Sequence, residues 1–99
     1  MISRQWRGVA RLGFAQAYVE HLRSETFPAI ERLPGFEGSS ILRRTVPEGV
    51  EFLVVTRWAS LESIRGFAGP NAETAVVPQK VRDMMVEFDL LVRHYEVVE

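Results

Sequence analysis

Cysteine is absent from the chain, which excludes disulfides and thiolate-bound metal, and nothing else in the sequence argues for an oxidising compartment. Neither sign of charge is in excess: 12 basic residues stand against 13 acidic ones, a net of −1, and no basic run is long enough to track a phosphate backbone. Nucleic acid is therefore not an expected partner. No uninterrupted apolar stretch approaches a membrane span, and the opening Met1-Ile2-Ser3-Arg4-Gln5-Trp6-Arg7 is too polar for a signal peptide. The expectation is a soluble, cytoplasmic protein with no membrane partner. Histidine is scarce, with two in the chain, and there is no internal repeat or low-complexity segment. Ninety-nine residues make one domain, 1–99, short enough that association would help it to bury apolar surface.

What is present is organised around Glu51-Phe52-Leu53-Val54-Val55-Thr56-Arg57-Trp58. These residues are largely β-branched or aromatic, with Phe52 and Val54 on one alternation face and Leu53 and Val55 on the other, as in a central strand covered on both sides. Ser60 then caps a short helix with apolar positions Leu61, Ile64 and Phe67. Ahead of this unit, Ile2, Arg4, Trp6 and Gly8 alternate with Ser3, Gln5, Arg7 and Val9 as a first strand over 2–10. From Gly13 to about Ser24 the residues Phe14, Ala15, Tyr18, Val19 and Leu22 fall on one helical face. Pro28 should kink or restart that helix, and Pro34-Gly35 ends it. A second strand over 38–46 runs through Pro47-Glu48-Gly49 into the central one. After Gly69-Pro70, Asn71 is expected to cap a short helix through Ala72–Val77, and a further turn holds Val81, Met84 and Met85. A long last strand is expected over 86–98.

The order is β-α-β-β-α-β: an α+β, ferredoxin-like arrangement with a four-stranded antiparallel sheet and helices on one face. Apolar residues on both faces of the third and fourth strands, Leu53, Val55, Leu91 and Val97 among them, would leave an exposed patch on the second face. A symmetric homodimer through the sheet faces is the expected cover, a monomer with a partly apolar sheet the alternative.

Thr56-Arg57-Trp58-Ala59-Ser60, the segment Glu62 to Gly69, Ala75-Val76-Val77-Pro78, His94-Tyr95-Glu96-Val97 and the opening Ile2 to Gly8 resemble the antibiotic biosynthesis monooxygenase (ABM-like) family of dimeric α+β barrels, and the resemblance spans essentially the whole length. It implies a homodimer with a small apolar cavity in each subunit between sheet and helices. Studied members oxidise polycyclic phenols with O2 and no cofactor, cleave haem, or act on quinones. The cofactor-free route needs a cavity that excludes water, an apolar wall for an aromatic substrate, and a group that removes or stabilises a phenolic proton. Haem cleavage is not expected, because residues 59–93 contain no histidine and the first strand has Gln5 but no asparagine. The expectation is therefore a cofactor-independent monooxygenase for a small aromatic or polyketide-like substrate, the alternative a non-catalytic module that binds a small apolar ligand or serves assembly.

Candidate residues carry both functional and structural readings. Trp58, matching the family's tryptophan at the strand-to-helix junction, is expected to form a wall and orient a substrate oxygen, or else to pack the core. His94 shares a face with Phe88, Leu90 and Val92 and is the candidate base; a structural histidine near a strand end is the other reading. Arg57 and Arg65 flank Trp58 and can stabilise an anionic oxygen. Trp6, Phe67, Asn71, Met84 and Tyr95 complete the substrate-binding candidates, though Asn71 is first a helix cap and Met84 suits an ordinary core. His21 and Glu25, four apart on the first helix, can meet, but two histidines are too few for a metal site, and a solvated helix face is the reading they receive.

Overall fold

The structure, a computed structural model, describes residues 1–99. Strand β1 (Ile2–Ala10) lies inside an antiparallel sheet. On one side it pairs with β3 (Gly49–Trp58), which pairs in turn with β2 (Phe36–Val46); on the other it pairs with β4 (Met85–Phe88) and with β5 (Arg93–Glu96). The order β2-β3-β1-β4 is that of a ferredoxin-like unit, so the expected α+β fold is present and β3 is an interior strand. The helices are α1 (Ala15–His21), α2 (Phe27–Ile30), α3 (Leu61–Ala68) and α4 (Gln79–Arg82). None of them is long and apolar enough to cross a membrane.

Register decides which side chains meet the helices. Ile2, Arg4, Trp6 and Gly8 stand opposite Trp58, Thr56, Val54 and Phe52, and this face holds the core, in which Trp58, Phe52, Ile30 and Ile64 are fully enclosed. Ser3, Gln5 and Arg7, opposite Arg57, Val55 and Leu53, occupy the other face. Gly8 carries no side chain where the Trp6 ring folds over it: a Cβ there would lie 2.4 Å from Trp6 Cη2.

The first helical region departs from simple α geometry. Between α1 and α2, residues Leu22–Thr26 form a π turn, closed by the Phe27 N–H donating to Leu22 O five residues back. Pro28 supplies the reason, since it has no N–H to give Ser24 O and its ring presses on that carbonyl, so the ladder widens by one residue. The α3 start follows expectation: Ser60 Oγ accepts from Ser63 N and Ser63 Oγ from Ser60 N, both at 3.2 Å, a reciprocal cap.

The expected short helix over Ala72–Val77 and the unbroken last strand over 86–98 are both corrected. Ala72 and Glu73 form a turn, with Thr74 N donating to Asn71 O at 3.1 Å, and 73–75 then bond to 90–92: Val92 N donates to Glu73 O at 2.8 Å, Ala75 N to Leu90 O at 2.9 Å, and Thr74 bridges Leu91. Because those backbone groups are taken, the last strand leaves β1 between Phe88 and Arg93, so the sheet has five strands where four were expected. The apolar run Leu90-Leu91-Val92 looks like strand interior, and two segments distant in sequence compete for its hydrogen bonds.

Candidate active site

Between the core face of the sheet and the helices lies a small cavity of about 70 Å³, walled by β1, β3, α1, the π turn, Phe67 and the segment Val76-Val77-Pro78. It adjoins a wider groove of about 500 Å³, with His21, Thr26, Ile30, Phe67, Val76 and Pro78 lining both. The wall is mostly apolar, so the few polar atoms reaching it carry the chemistry.

The first group sits on α1 and the π turn. His21 is 7% exposed and its Nδ1 lies 3.2 Å from Glu25 Oε2, the same oxygen to which Lys80 Nζ donates at 2.7 Å. The Lys80 hydrogen bond, with a smaller contribution from His21, holds the Glu25 carboxyl below the usual carboxylate range. An ionised carboxylate only accepts, so His21 Nδ1 carries the hydrogen, and in the neutral ring Nε2 is a free acceptor. Nε2 has no protein partner and, since no side-chain nitrogen or oxygen is both enclosed and unpartnered, it is not completely sealed in. Tyr18 lies nearly parallel to His21, ring centroids 6.4 Å apart, and meets Phe52 edge-on at 4.9 Å. Its hydroxyl also has no protein partner, and burial pushes the phenol up from its ordinary value, so it is a donor rather than an anion.

The second group is centred on Arg4, which is 5% exposed in the middle of β1. Its Nη1 donates to Ala72 O and, at 3.0 Å, to His94 Nε2; its Nη2 donates to Thr74 O at 3.0 Å. The guanidinium thus pins the 72–74 segment to the sheet, with its carbon 5.6 Å from the Phe67 ring centre. Arg4 forms no ion pair. Burial lowers its pKa to about 10, with the field of Glu73 opposing the shift. Because arginine has no lone pair, His94 Nε2 must be the acceptor and its hydrogen resides on Nδ1. Burial first, and then the charge on Arg4, keep His94 below the usual imidazole value, with Glu73 acting in the other direction.

Of the residues singled out in the sequence, Trp6 and Phe67 line the cavity. Trp6 Nε1 donates to Asp89 O at 2.9 Å, which turns the indole N–H away from any ligand. Trp58 and His94 lie one layer behind the wall. Trp58 donates to Thr56 Oγ1 at 2.8 Å and stacks on Phe67 at 6.0 Å, while His94 faces Arg4. Met84 is in the core, and Arg65 and Asn71 are exposed. Arg57, whose Nη1 donates to Ser40 Oγ, and Tyr95 belong to the opposite face of the sheet. The expected solvated helix face holds for Glu25, which is exposed, but not for His21, which is buried against Tyr18. A signal was present, since His21 follows the apolar Tyr18 by three residues and shares its helical face. Arg4 alternates with Trp6 and Gly8, which likewise puts it on the inward side of β1.

No protein-family sequence model matches the chain, and no functionally described protein matches it in sequence. Solved structures do match in shape. One is a Bacillus cereus protein assigned as an antibiotic biosynthesis monooxygenase, with a TM-score of 0.69 and 22% identity over 99% of this chain and 93% of the other. SnoaB, a cofactor-independent oxygenase from Streptomyces nogalater, gives a TM-score of 0.68 and 14% identity over 99% of this chain and 93% of its own. MhuD, a haem degrader from Mycobacterium tuberculosis solved with two haems bound, gives 0.62 and 22% over 100% and 97%. The chain has the fold of the ABM-like proteins, as its sequence resemblance implied.

Proposed function

We propose that the protein is an oxygen-using enzyme of the ABM type that oxidises a small aromatic, phenolic or polyketide-like substrate without a cofactor. The observation that carries the reading is a mostly apolar cavity with a buried histidine, His21, in its wall, whose Nδ1 is held by Glu25 and whose Nε2 has no protein partner. In this reading His21, rather than His94, is the base: Nε2 takes the acidic proton and Glu25 stabilises the imidazolium that results. The substrate anion then reduces O2. For an activated methylene, the carbon supplies four electrons, one oxygen atom remains as the carbonyl and the other leaves as water. Tyr18 donates to a substrate oxygen, Trp6 and Phe67 form the wall, and Trp58 supports Phe67 from behind. His94 is not available to ligate haem in this reading, because Arg4 already occupies its Nε2.

Oxygen consumption with anthrones, phenols and quinols tests this. Turnover should fall roughly 100-fold or more in His21→Ala, in line with loss of a general base, and much less in His94→Ala. Unchanged turnover in His21→Ala would remove the assigned base, and a Soret spectrum of histidine-ligated haem would displace the cofactor-free reading. The small inner chamber favours a second reading, a ligand-binding module without turnover; binding with no oxygen uptake by any probe would select it. In either case the open sheet face, carrying Leu42, Leu53, Val55 and Tyr95, is covered in our reading by a second copy of the chain.

A further inference from the structure

A guanidinium has five N–H donors, and in Arg4 three are used: Nη1 to Ala72 O and to His94, and Nη2 to Thr74 O. Nε–H and one Nη2–H have no partner in the protein. Nε is nonetheless not fully enclosed, since the molecule has no enclosed, unpartnered side-chain nitrogen. Arg4 is also a buried charge with only neutral partners: two carbonyls, a neutral imidazole and the face of Phe67. Glu73 is exposed and forms no ion pair with it. Buried charges are ordinarily paired, because an uncompensated one is expensive to desolvate. Yet Arg4 lies in the wall of the cavity, beside Trp6, Val54 and Phe67.

We infer that the cavity is an anion site: it takes an aromatic molecule with one negatively charged oxygen, carboxylate or phenolate, which sits on the free N–H groups of Arg4 while the ring lies against Phe67 and Trp6. This rests on the proposed use of the same cavity and narrows its ligand class. The anion supplies the missing counter-charge, and charge-assisted hydrogen bonds in a water-poor cavity are among the stronger polar contacts available. His94 and the carbonyls of Ala72 and Thr74 then act as positioning groups that fix the plane of the guanidinium.

The test is equilibrium binding of 2-naphthoate and its uncharged analogue 2-naphthalenemethanol, by calorimetry at fixed ionic strength under nitrogen. The wild-type chain should bind the carboxylate about tenfold or more tightly than the alcohol. That preference should vanish in Arg4→Gln and largely persist in Arg4→Lys. Equal affinity for the two on the wild-type chain, or no binding of either, overturns the proposal and needs no variant to fold. A preference that survives in folded Arg4→Gln overturns it as well. Working under nitrogen separates this claim from the enzymatic one. An anion preference without oxygen uptake in air leaves the site standing and removes the oxygenase; turnover with no anion preference does the reverse.

Discussion

The carboxylate of Glu25 and the ammonium of Lys80 lie 2.7 Å apart, tying the π turn to α4 beside the outer groove that both residues line. Both side chains are more than half exposed, so the pair adds little to stability; it links the two elements at the groove and holds the oxygen that meets His21 Nδ1. Lys80→Met should leave the melting temperature nearly unchanged while raising ligand dissociation and association rates together, as stopped-flow fluorescence would register. Glu25→Gln should lower kcat about tenfold with little change in KM, because an amide orients His21 but cannot stabilise its cation. A change confined to KM would place Glu25 in binding instead.

The π turn gives a second prediction. Pro28→Ala restores an N–H for Ser24 O and removes the ring that presses on it, so the helix can close to α geometry. Melting temperature should stay level or rise, while affinity for cavity ligands falls as His21 and Thr26 move. Hydrogen exchange at Phe27 and Pro28→Ala binding isotherms identical to wild type would mean that Pro28 does not impose the turn.

Gly8 and Trp6 provide a packing test. A methyl group at residue 8 meets the indole at 2.4 Å, so Gly8→Ala should cost about 1–3 kcal/mol in urea denaturation. Combining it with Trp6→Phe, which shortens the ring, should cost clearly less than the two changes summed. Additive losses would show that the strain lies elsewhere.

His94 should make stability depend on pH. Its folded value is lowered from 6.5 by burial and by Arg4, so between the two values the unfolded chain binds more protons than the folded one. The contribution is complete above pH 6.5 and is lost as pH falls through the lower, folded value. Glu25 and Glu51, also lowered, act only below their ordinary 4.5, so the loss of stability between pH 6.5 and 4.5 is assigned to His94. His94→Gln keeps an acceptor for Arg4 and should flatten the upper window alone, measured by urea melts across pH.

The open sheet face predicts association. Leu42 is 52% exposed and stands opposite Leu53, while Tyr95 is 49% exposed opposite Ser3. Sedimentation at micromolar concentration should give a dimer, and Leu53→Asp should give a monomer that keeps its fold. A wild-type monomer would mean that this face tolerates water.

Much of the fold was legible in the sequence. The run Glu51–Trp58, the Ser60 cap, the Pro47-Glu48 turn and the break at Pro28 each act through local chemistry, and each stands where the residues put it. The last strand misled because pairing of 90–92 with 73–75 is a non-local competition that alternation cannot register. The site was less legible for a related reason. Arg4 and His21 are polar residues on inward faces, and charge alone argues for solvent; only their spacing from Trp6 and Tyr18 argued against it.

The central position of β1 also bears on how the chain is made. Ile2 finds one neighbour in Trp58 and another in Glu96, so β1 is completed by a strand that is translated long after it. At roughly 5–20 residues per second it waits several seconds on the ribosome with one edge unpaired. Non-local pairing of this kind slows folding and leaves a window for capture by chaperones. Arg4 cannot grip Ala72 and Thr74, nor meet His94, until that window closes, so the cavity is among the last parts of the molecule to acquire its shape.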